Sequence, residues 1–364
     1  MSPKFSIISP VYNHEKYVGF MIDSVLSQDF KDFELIIVDD FSSDNSLGEI
    51  SKYKDSRIKL FKHEYNMGIN AGLNTAFKNS SGEYLIFLGG DDILETNILS
   101  RIKEIIESKN DIVALECELH IIDENNQIYR EWHFDYHNRL DILRRMFFVA
   151  ACLTSTGLTI KREYFAKMYP LPLGICNHQD TFMQIKLFLY GEVDLIKEKF
   201  VRYRQTREHK SISNIRVPAT INRENYEVDS IMQVYLDYFL ESKDLELLEK
   251  MFDKEIQSTG IKPYIDTIEF FLGRMALESS ESCREFWGYH TIMNVYNDLK
   301  KQEIIREKYN FTFKDLVALS NLYKDSKFDT IKRKYLGYRK RFNMMIIVSV
   351  VLLAIVIVLL FTRN

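Results

Sequence analysis

The stretch that decides the fold is FSIISPVYN at residues 5–13, and two later stretches share its plan: FELIIVDDFSSD at residues 33–44 and YLIFLGGDD at residues 84–92. Each contains a short run of Ile, Val, Leu and Phe and ends among Pro, Gly, Asn, Asp or Ser. Apolar runs of this length that stop at turn-forming residues indicate buried β-strands. The three stretches therefore predict three core strands, each followed by a polar turn.

Short apolar runs alternate with amphipathic stretches over the first 120 residues. The predicted strands are Phe5–Ser9, Glu34–Val38, Ile58–Phe61, Tyr84–Leu88 and Ile112–Glu116, and the predicted helices are Glu15–Gln28, Leu47–Tyr53, Ile69–Asn79 and Asn97–Ser108. This alternation predicts an α/β fold with a mostly parallel, Rossmann-like central sheet and helices on both faces. Ligands of such sheets bind beyond the carboxyl ends of the strands.

The pattern changes along the rest of the chain. The predicted elements that follow are a helix at Leu140–Phe148, a strand at Gly157–Lys161, a helix at Thr181–Tyr190 and a strand at Phe200–Arg204. Beyond Asn222 the apolar residues recur at helical spacing throughout. We therefore expect an α/β domain over residues 1–215 and a helical C-terminal domain over residues 216–330.

Composition and charge exclude several classes of protein. The 364 residues carry 48 basic and 52 acidic side chains, and this net charge of −4 argues against a general nucleic-acid-binding protein. The four cysteines form no C-x-x-C pair, so neither a zinc site nor a disulfide framework is indicated. Neither G-x-G-x-x-G nor G-x-x-x-x-G-K occurs, so a dinucleotide or P-loop site is not predicted.

An uncharged apolar run, MMIIVSVVLLAIVIVLLF, occupies residues 344–361. As a helix with about 1.5 Å per residue it would span roughly 27 Å, close to the thickness of a bilayer core. Six Lys and Arg residues precede it between 332 and 341, and such clusters stay on the cytoplasmic side. We therefore expect a basic juxtamembrane segment at 331–343 beside the membrane lipids and one transmembrane helix at 344–361. This C-terminal single-pass anchor would hold a cytoplasmic domain at the cell inner membrane.

Four carboxylates follow predicted strands, Asp39 and Asp40 after the second strand and Asp91 and Asp92 after the fourth. Like charges a few ångströms apart raise one another's pKa or require a cation. A magnesium-type ion that is bound by one or two carboxylates and by substrate phosphates satisfies this arrangement. The alternative for each turn alone is that Asp, Asn and Ser are favoured in turns and helix caps.

Four segments together resemble the family 2 glycosyltransferases of the GT-A fold. They are SIISPVYNHEKYV at residues 6–18, SQDFKDFELIIVDDFSSDNS at 27–46, NMGINAGLNTA at 66–76 and SGEYLIFLGGDDIL at 81–94. The resemblance covers roughly residues 1–215. It implies a GT-A fold, a nucleotide-diphosphate sugar donor that we expect to be a UDP-sugar, a divalent cation (Mn²⁺ or Mg²⁺), and inversion at the anomeric carbon.

The resemblance also assigns residues to the donor and to the metal. Tyr12 and Asp39 match positions that hold the nucleotide base, Asp91 lies nearer the ribose, and Asp92 binds the metal. Further donor contacts are expected from Pro10, Asn70 and Arg204, and His209 is expected to complete the metal shell.

The chain departs from the family pattern at two places. Many relatives begin the D-x-D motif with an acid where this chain has Gly89, and Gly72-Leu73-Asn74 stands where Ala-Arg-Asn is usual.

The segment RYRQTREHKSIS at 202–213 resembles the closing R-x-H-x-x-S segment of many relatives, with imperfect spacing. Its basic residues would clamp the diphosphate; the alternative is a solvated charged loop.

The general base is expected at Asp180, in Asn177-His178-Gln179-Asp180-Thr181, where relatives carry an acidic pair at the start of a helix. One carboxylate must lie within hydrogen-bond reach of the acceptor hydroxyl to remove its proton. The alternatives are that Asp180 only interacts with the helix dipole, or that His178 is the base.

These observations predict an inverting, metal-dependent hexosyltransferase that acts on a polyprenyl-diphosphate-linked glycan at the cytoplasmic membrane face. Bacterial branching glucosyltransferases of lipid-linked oligosaccharide assembly look like functional analogues. The alternatives are a non-catalytic GT-A-like membrane scaffold, which Gly89 and Leu73 would favour, and a transferase of capsule or lipopolysaccharide assembly. A processive synthase is disfavoured because the chain lacks both a Q-x-x-R-W motif and several membrane helices.

Overall fold

A computed structural model describes residues 2–109, 112–136, 138–149, 153–205 and 218–320. The chain divides into two compact units, residues 1–311 and residues 312–364. In the second unit the description ends at residue 320 and contains one helix, which begins with a capping box formed by Thr312 and Asp315. All other elements belong to the first unit.

In the parts of the chain that the structure describes, nine strands form one sheet. They are β1 (Phe5–Val11), β2 (Phe33–Asp39), β3 (Ile58–Lys62), β4 (Tyr84–Phe87), β5 (Ile93–Leu94), β6 (Ala114–Ile122), β7 (Ile128–Trp132), β8 (Thr159–Lys161) and β9 (Val193–Arg204). The helices are α1 (Val18–Leu26), α2 (Ser46–Ile50), α3 (Ile69–Lys78), α4 (Ile98–Ser108), α5 (Arg139–Phe148), α6 (Arg162–Met168), α7 (Gln179–Tyr190), α8 (Pro218–Ser242), α9 (Leu245–Met251), α10 (Asp253–Thr259), α11 (Ile268–Ala276), α12 (Ser282–Asn297), α13 (Leu299–Tyr309) and, in the second unit, α14 (Phe313–Leu319).

The strand order β3-β2-β1-β4-β8-β6-β9-β5 places the first four strands side by side, and β7 pairs with β6 outside this path. β3, β2, β1 and β4 are parallel, whereas β8 is antiparallel to both β4 and β6. The register aligns Val11 with Asp39 and Ile8 with Phe87. The carboxyl ends of β1, β2 and β4 therefore lie at one edge of the sheet.

The central strands are buried on both faces, as expected for parallel strands covered by helices. Successive residues point to opposite faces, so Ile8 and Ile36 pack in the core beside α3, α5 and α7. Ile7 and Ile37 pack on the other face, beside α1 and α4. This burial explains why β1 and β2 read as nearly continuous apolar runs.

The helical part packs directly on α5. The Arg284 side chain of α12 is 1% exposed, and its guanidinium donates to the carbonyl oxygens of Phe147 and Val149, each at 2.8 Å. The Tyr235 hydroxyl of α8 donates to the carbonyl oxygen of Leu143 at 2.7 Å. These hydrogen bonds connect α8 and α12 to backbone carbonyl groups of α5 and of its C-cap residue Val149. Helices α8, α9, α11 and α12 therefore share one core with the sheet.

The strands and helices predicted up to residue 204 are confirmed, with ends that shift by up to seven residues: β9 begins at Val193 rather than Phe200. Helix α1, for example, begins at Val18, three residues after the predicted start at Glu15. The GT-A-like α/β fold with a mostly parallel sheet and a helical part is also confirmed. The sequence did not predict β5, β7 or α6, because these elements are short or exposed.

Three predicted features concern residues that the structure does not describe. The boundary at residue 215 falls within residues 206–217, and both the basic segment at 331–343 and the transmembrane helix at 344–361 follow residue 320. Among the described helices, none is both long enough and apolar enough to cross a bilayer.

We predict that Gly157→Ala destabilises the protein by roughly 2–4 kcal/mol through backbone strain and overpacking. Gly157 has φ +86°, and a Cβ atom there would lie 2.5 Å from the Cys117 sulfur. Urea unfolding followed by circular dichroism measures the change. Gly174→Ala is the control, because Gly174 has open space around it and should change stability by less than about 0.5 kcal/mol. Equal stability of the two variants would contradict the prediction.

Candidate active site

The ends of β1 and β4 approach each other closely because Gly90 has no side chain. A Cβ atom at Gly90 would lie 2.7 Å from His14 Nδ1 and 2.8 Å from Val11 Cγ2. The backbone N–H of Asp40 donates to the Val11 carbonyl at 2.8 Å, which ties β2 to the same place. The turns after the three strands therefore form one continuous surface at the sheet edge.

The turn after β2 combines a buried acid with an exposed aromatic ring. Asp39 is fully buried; its Oδ2 accepts a hydrogen bond from the Ser42 N–H at 3.2 Å, and its Oδ1 has no partner among the described residues. A buried acceptor without a partner is costly and indicates a site for a donor group. Phe41, two residues after Asp39, is 48% exposed and has φ +64°, and Tyr12, directly after β1, is 46% exposed. Phe41 was not among the predicted site residues.

Asp40 serves the scaffold. Its Oδ1 accepts hydrogen bonds from the Met67 N–H at 2.8 Å and lies 2.7 Å from His63 Nδ1, and its Oδ2 accepts from the Gly68 N–H at 2.8 Å. These contacts fix the loop before α3. Of the four carboxylates predicted to crowd the sheet edge, Asp40 is thus fully engaged by the protein.

Asp92 is the most deeply buried acid of the D-D turn. Its Oδ1 accepts a hydrogen bond from the Arg204 N–H at 2.9 Å, and its Oδ2 accepts one from the Thr156 hydroxyl at 2.7 Å. Burial and the neighbouring Asp91 charge raise the Asp92 pKa to about 7. A site that makes ionisation unfavourable favours a bound cation, so the residues fit a divalent ion.

Within the described ranges, no group of three His, Cys, Asp or Glu side chains is arranged to hold a metal ion. Asp91 and Asp92 are the predicted acids that stand together, and an ion there would need oxygen atoms of a bound diphosphate to complete its coordination. His209 lies outside the described residues.

Packing explains the two glycines, Gly89 and Gly72, in the departures from the family pattern. A Cβ atom at Gly89 would lie 2.6 Å from Asp92 Oδ2, so the Asp92 carboxylate occupies the space of the usual side chain. A Cβ atom at Gly72 would lie 3.0 Å from the Pro10 Cβ atom. Both glycines therefore allow neighbouring site residues to approach closely.

Arg204 links the D-D turn to the β6–β7 hairpin. Its guanidinium donates to the carbonyl oxygens of Asp91 at 2.7 Å and Asp123 at 2.6 Å and to Asn126 Oδ1 at 2.5 Å. It also lies over the Tyr17 ring, 4.3 Å from the ring centroid. The structure thus places Arg204 among protein acceptors, and its predicted contact with the diphosphate stays a prediction.

Asn70 contacts the loop that leads into α7. Its Nδ2 donates to the carbonyl oxygens of Pro172 at 2.7 Å and Ile175 at 3.2 Å, while its Oδ1 is buried without a partner among the described residues. Asn70 therefore connects α3 to the loop that leads into α7. Its predicted donor contact is untested.

Asp180 lies in the first turn of α7, as predicted. Burial raises the pKa of its carboxyl group, and hydrogen bonds from the hydroxyl and the N–H of Ser155 lower it in part. Its Oδ1 is buried and has no hydrogen-bond partner among the described residues. The rival base His178 is also buried, and burial lowers its pKa.

The predicted base and the predicted metal ligand meet at two adjacent residues. Thr156 hydrogen-bonds to Asp92, and the adjacent Ser155 lies beside Asp180, where its hydroxyl and N–H lower the pKa of the Asp180 carboxyl group. Tyr203 provides a second link: burial and then the charges of Asp92, Asp91 and Asp180 all raise the pKa of its hydroxyl. The acids from the two parts of the sequence therefore belong to one site.

The sequence analysis missed Ser155, Thr156, Tyr203 and Glu116 as site residues. Glu116 is buried on β6, accepts a hydrogen bond from Gln184 Nε2 at 3.0 Å, and has a pKa held well above its ordinary value by burial and by the Asp180 charge. The signal available in the sequence was the position of Glu116, an acid within the apolar run of a predicted strand. Ser155 and Thr156 look like ordinary turn residues, so nothing in the sequence marked them.

A mostly parallel sheet with acids at its carboxyl edge is the arrangement of the GT-A class of fold. Residues 6–168 match the family described as Glycosyl transferase family 2. The structure of Staphylococcus aureus TarS residues 1–349 in complex with UDP-GlcNAc has a TM-score of 0.55 and 20% identity, and covers 84% of this chain and 92% of that one, which shows a shared fold. The chain carries a family 2 glycosyltransferase domain.

Curated relatives agree with this family. The Escherichia coli UDP-Glc:alpha-D-GlcNAc-diphosphoundecaprenol beta-1,3-glucosyltransferase WfgD is 40% identical over 121 residues, which are 33% of this chain and 47% of that protein. The uncharacterized glycosyltransferase alr2836 of a Nostoc species is 31% identical over 208 residues, or 55% of this chain and 64% of that protein. The matched region spans about half to two thirds of the length of these relatives.

We predict that Ser155→Ala shifts the acid limb of the kcat–pH profile to higher pH. A general base works when ionised, so activity is lost as the pH falls through its pKa. Because the Ser155 hydrogen bond lowers the Asp180 pKa, its removal raises that pKa and activity is lost sooner. Initial rates of sugar transfer between pH 4 and 9 would show the shift. The control Ser51→Ala removes an exposed hydroxyl at the C-cap of α2 and should leave the profile unchanged. A shift in the opposite direction for Ser155→Ala would contradict the prediction.

Proposed function

We propose that this protein transfers a sugar from a nucleotide-diphosphate sugar to an acceptor hydroxyl by a single inverting displacement. The observation that carries the proposal is the pair of adjacent residues Ser155 and Thr156: the Thr156 hydroxyl donates to Asp92, and Ser155 lies beside Asp180 and lowers the pKa of its carboxyl group. A displacement of this kind needs a base on the acceptor side and charge stabilisation on the leaving-group side. These two requirements correspond to the two acids.

The donor side is proposed to bind the nucleotide at the end of β1 and β2. The unpartnered Asp39 Oδ1 would accept an N–H of the base, and the exposed Tyr12 ring would stack on it. A divalent cation, Mn²⁺ or Mg²⁺, held by Asp92 and Asp91 with the diphosphate oxygens, would stabilise the negative charge of the departing nucleoside diphosphate. The UDP-GlcNAc named with the TarS structure supports a UDP-sugar as donor.

Asp180 is proposed as the general base. Burial raises its pKa towards the range in which a carboxylate removes a proton efficiently near neutral pH. The buried Oδ1 of Asp180 has no hydrogen-bond partner among the described residues and would accept the hydrogen bond of the acceptor hydroxyl. Asp180 would take the acceptor proton as the acceptor oxygen attacks the anomeric carbon.

The acceptor is proposed to be a polyprenyl-diphosphate-linked glycan at the cytoplasmic face of the inner membrane. Two observations support this proposal. The name of WfgD states a GlcNAc-diphosphoundecaprenol acceptor. The uncharged run at 344–361 with its basic flank would confine the active site and a lipid-linked acceptor to the same surface, which raises their effective concentration.

We predict that Asp180→Asn lowers sugar transfer by roughly 10²–10⁴-fold, because the substitution keeps the shape and removes the basicity. Donor affinity, measured by calorimetry with the UDP-sugar and Mn²⁺, should stay unchanged. Asp92→Ala should instead weaken cation-dependent donor binding and lower transfer by roughly 10²–10³-fold.

The matched control for Asp180→Asn is Asp194→Asn, which changes a surface acid that pairs with Lys109. This variant should transfer sugar at the wild-type rate. Normal transfer by Asp180→Asn would show that Asp180 is not the base. The non-catalytic scaffold would be favoured if the wild-type protein turned over none of a panel of UDP-, GDP- and dTDP-sugars.

We predict that deletion of residues 342–364 selectively lowers transfer to a long-chain lipid-linked acceptor in membranes. Transfer to a water-soluble, short-chain analogue should persist, because the deletion leaves the site itself intact. Turnover of both substrates by the full and the shortened chain is the measurement. An equal effect on the two acceptors would refute the role of the anchor.

A further inference from the structure

The loop of residues 169–178, which leads into α7, is held from two sides. On one side the Asn74 side chain of α3 forms a pair of hydrogen bonds with the Leu171 backbone: Nδ2 donates to the carbonyl at 3.0 Å and Oδ1 accepts from the N–H at 2.8 Å. Asn70 adds a hydrogen bond to the Pro172 carbonyl at 2.7 Å. The start of this loop is thus fixed to α3, on the side of the sheet where the nucleotide-sugar donor is proposed to bind.

On the other side a single carboxylate binds the end of the loop. Glu227 is a buried residue of α8, and its two oxygens accept three consecutive backbone N–H groups. Oε1 accepts from Cys176 at 2.9 Å, and Oε2 accepts from Asn177 and from His178, each at 2.8 Å. Hydrogen bonds to a charged acceptor are about twice as strong as those between neutral groups.

The three N–H groups that Glu227 binds lie directly before α7, at the start of the helix that carries Asp180. His178 is the N-cap residue of α7, and its own side chain makes no capping hydrogen bond. A carboxylate at this place satisfies backbone donors that are free at a helix start and interacts favourably with the positive end of the helix dipole. Asp180 follows His178 by two residues, so a shift of the capped start of α7 would also move the proposed base.

We propose that Glu227 is a positioning residue for the transfer reaction: from the helical part of the protein it fixes the start of α7 and thereby places Asp180 against the acceptor hydroxyl. This inference rests on the proposed role of Asp180 as base. A carboxylate is required because both of its oxygens accept hydrogen bonds from the three N–H groups. An amide would replace one of these oxygens with an NH₂ group, which is itself a donor. Displacement of a catalytic group by about 1 Å lowers a rate by about 100-fold.

The test is Glu227→Gln, which keeps the size of the side chain and removes two of its acceptor sites. We expect kcat to fall by about 10–100-fold, while KM for the UDP-sugar and its calorimetric Kd stay within about twofold. Hydrogen exchange at the amides of residues 176–178 should become faster in the same variant. A role in stability alone would not separate kcat from donor binding in this way.

Glu255→Gln is the matched control, because Glu255 is another buried acid of the helical part but pairs with Arg144 on α5, away from the loop. It should lower stability and keep kcat. If Glu227→Gln does not fold, Glu227→Asp, which retains the charge on a shorter side chain, should show a smaller fall in kcat with unchanged donor KM.

Parallel assays of Asp180→Asn distinguish the two proposals. Full transfer by Asp180→Asn overturns the proposed base and, with it, this inference. An inactive Asp180→Asn beside a Glu227→Gln enzyme with wild-type kcat overturns the positioning role alone. A Glu227→Gln or Glu227→Asp protein that loses donor affinity as much as kcat also overturns it.

Discussion

Asp92 and Asp180 are far apart in sequence and belong to different elements, and the adjacent residues Thr156 and Ser155 are where the protein joins them: Thr156 donates to Asp92, and Ser155 lies beside Asp180. The short turn that carries these hydroxyls is itself fixed to β4, since the Gly157 N–H donates to the Phe87 carbonyl at 2.8 Å. Its left-handed backbone at Gly157 admits the Cys117 side chain next to it. The relative placement of the two acids thus depends on one turn and on the absence of one side chain.

Buried polar atoms without partners mark both sides of the site. Among the described residues they include Asp39 Oδ1 near the nucleotide side and Asp180 Oδ1 at the start of α7. An unsatisfied buried polar group costs roughly 1–3 kcal/mol, so a protein retains such groups where another molecule completes them. Burial also raises the pKa values of Asp92, Glu116 and Asp180 in the same region. The site therefore holds several buried acids whose ionisation is unfavourable, and binding of substrate and a cation would reduce this cost.

The sequence predicted the strands and their polar turns because local periodicity and composition determine both. It also predicted Asp39, Asp91, Asp92 and Asp180 as candidate residues, since these positions follow recognisable motifs. It could not predict the contacts of Ser155, Thr156 and Glu227, because their partners are 25 to 64 residues away in sequence or are backbone groups. Tertiary hydrogen bonds of this kind leave no local pattern. The packing reason for Gly89 was likewise visible only once the Asp92 carboxylate had been placed.

The contacts of Arg284 and Tyr235 with the carbonyl groups of α5 limit how the chain could be recombined with a relative. The match to the family ends at residue 168, yet α5, at residues 139–148, accepts hydrogen bonds from α8 and α12. The family match and the packed core therefore end at different places in the chain. A chimaera that exchanges the helical part for that of a relative would have to exchange α5 together with it, or keep a tyrosine and a buried guanidinium that fit the carbonyl groups of α5.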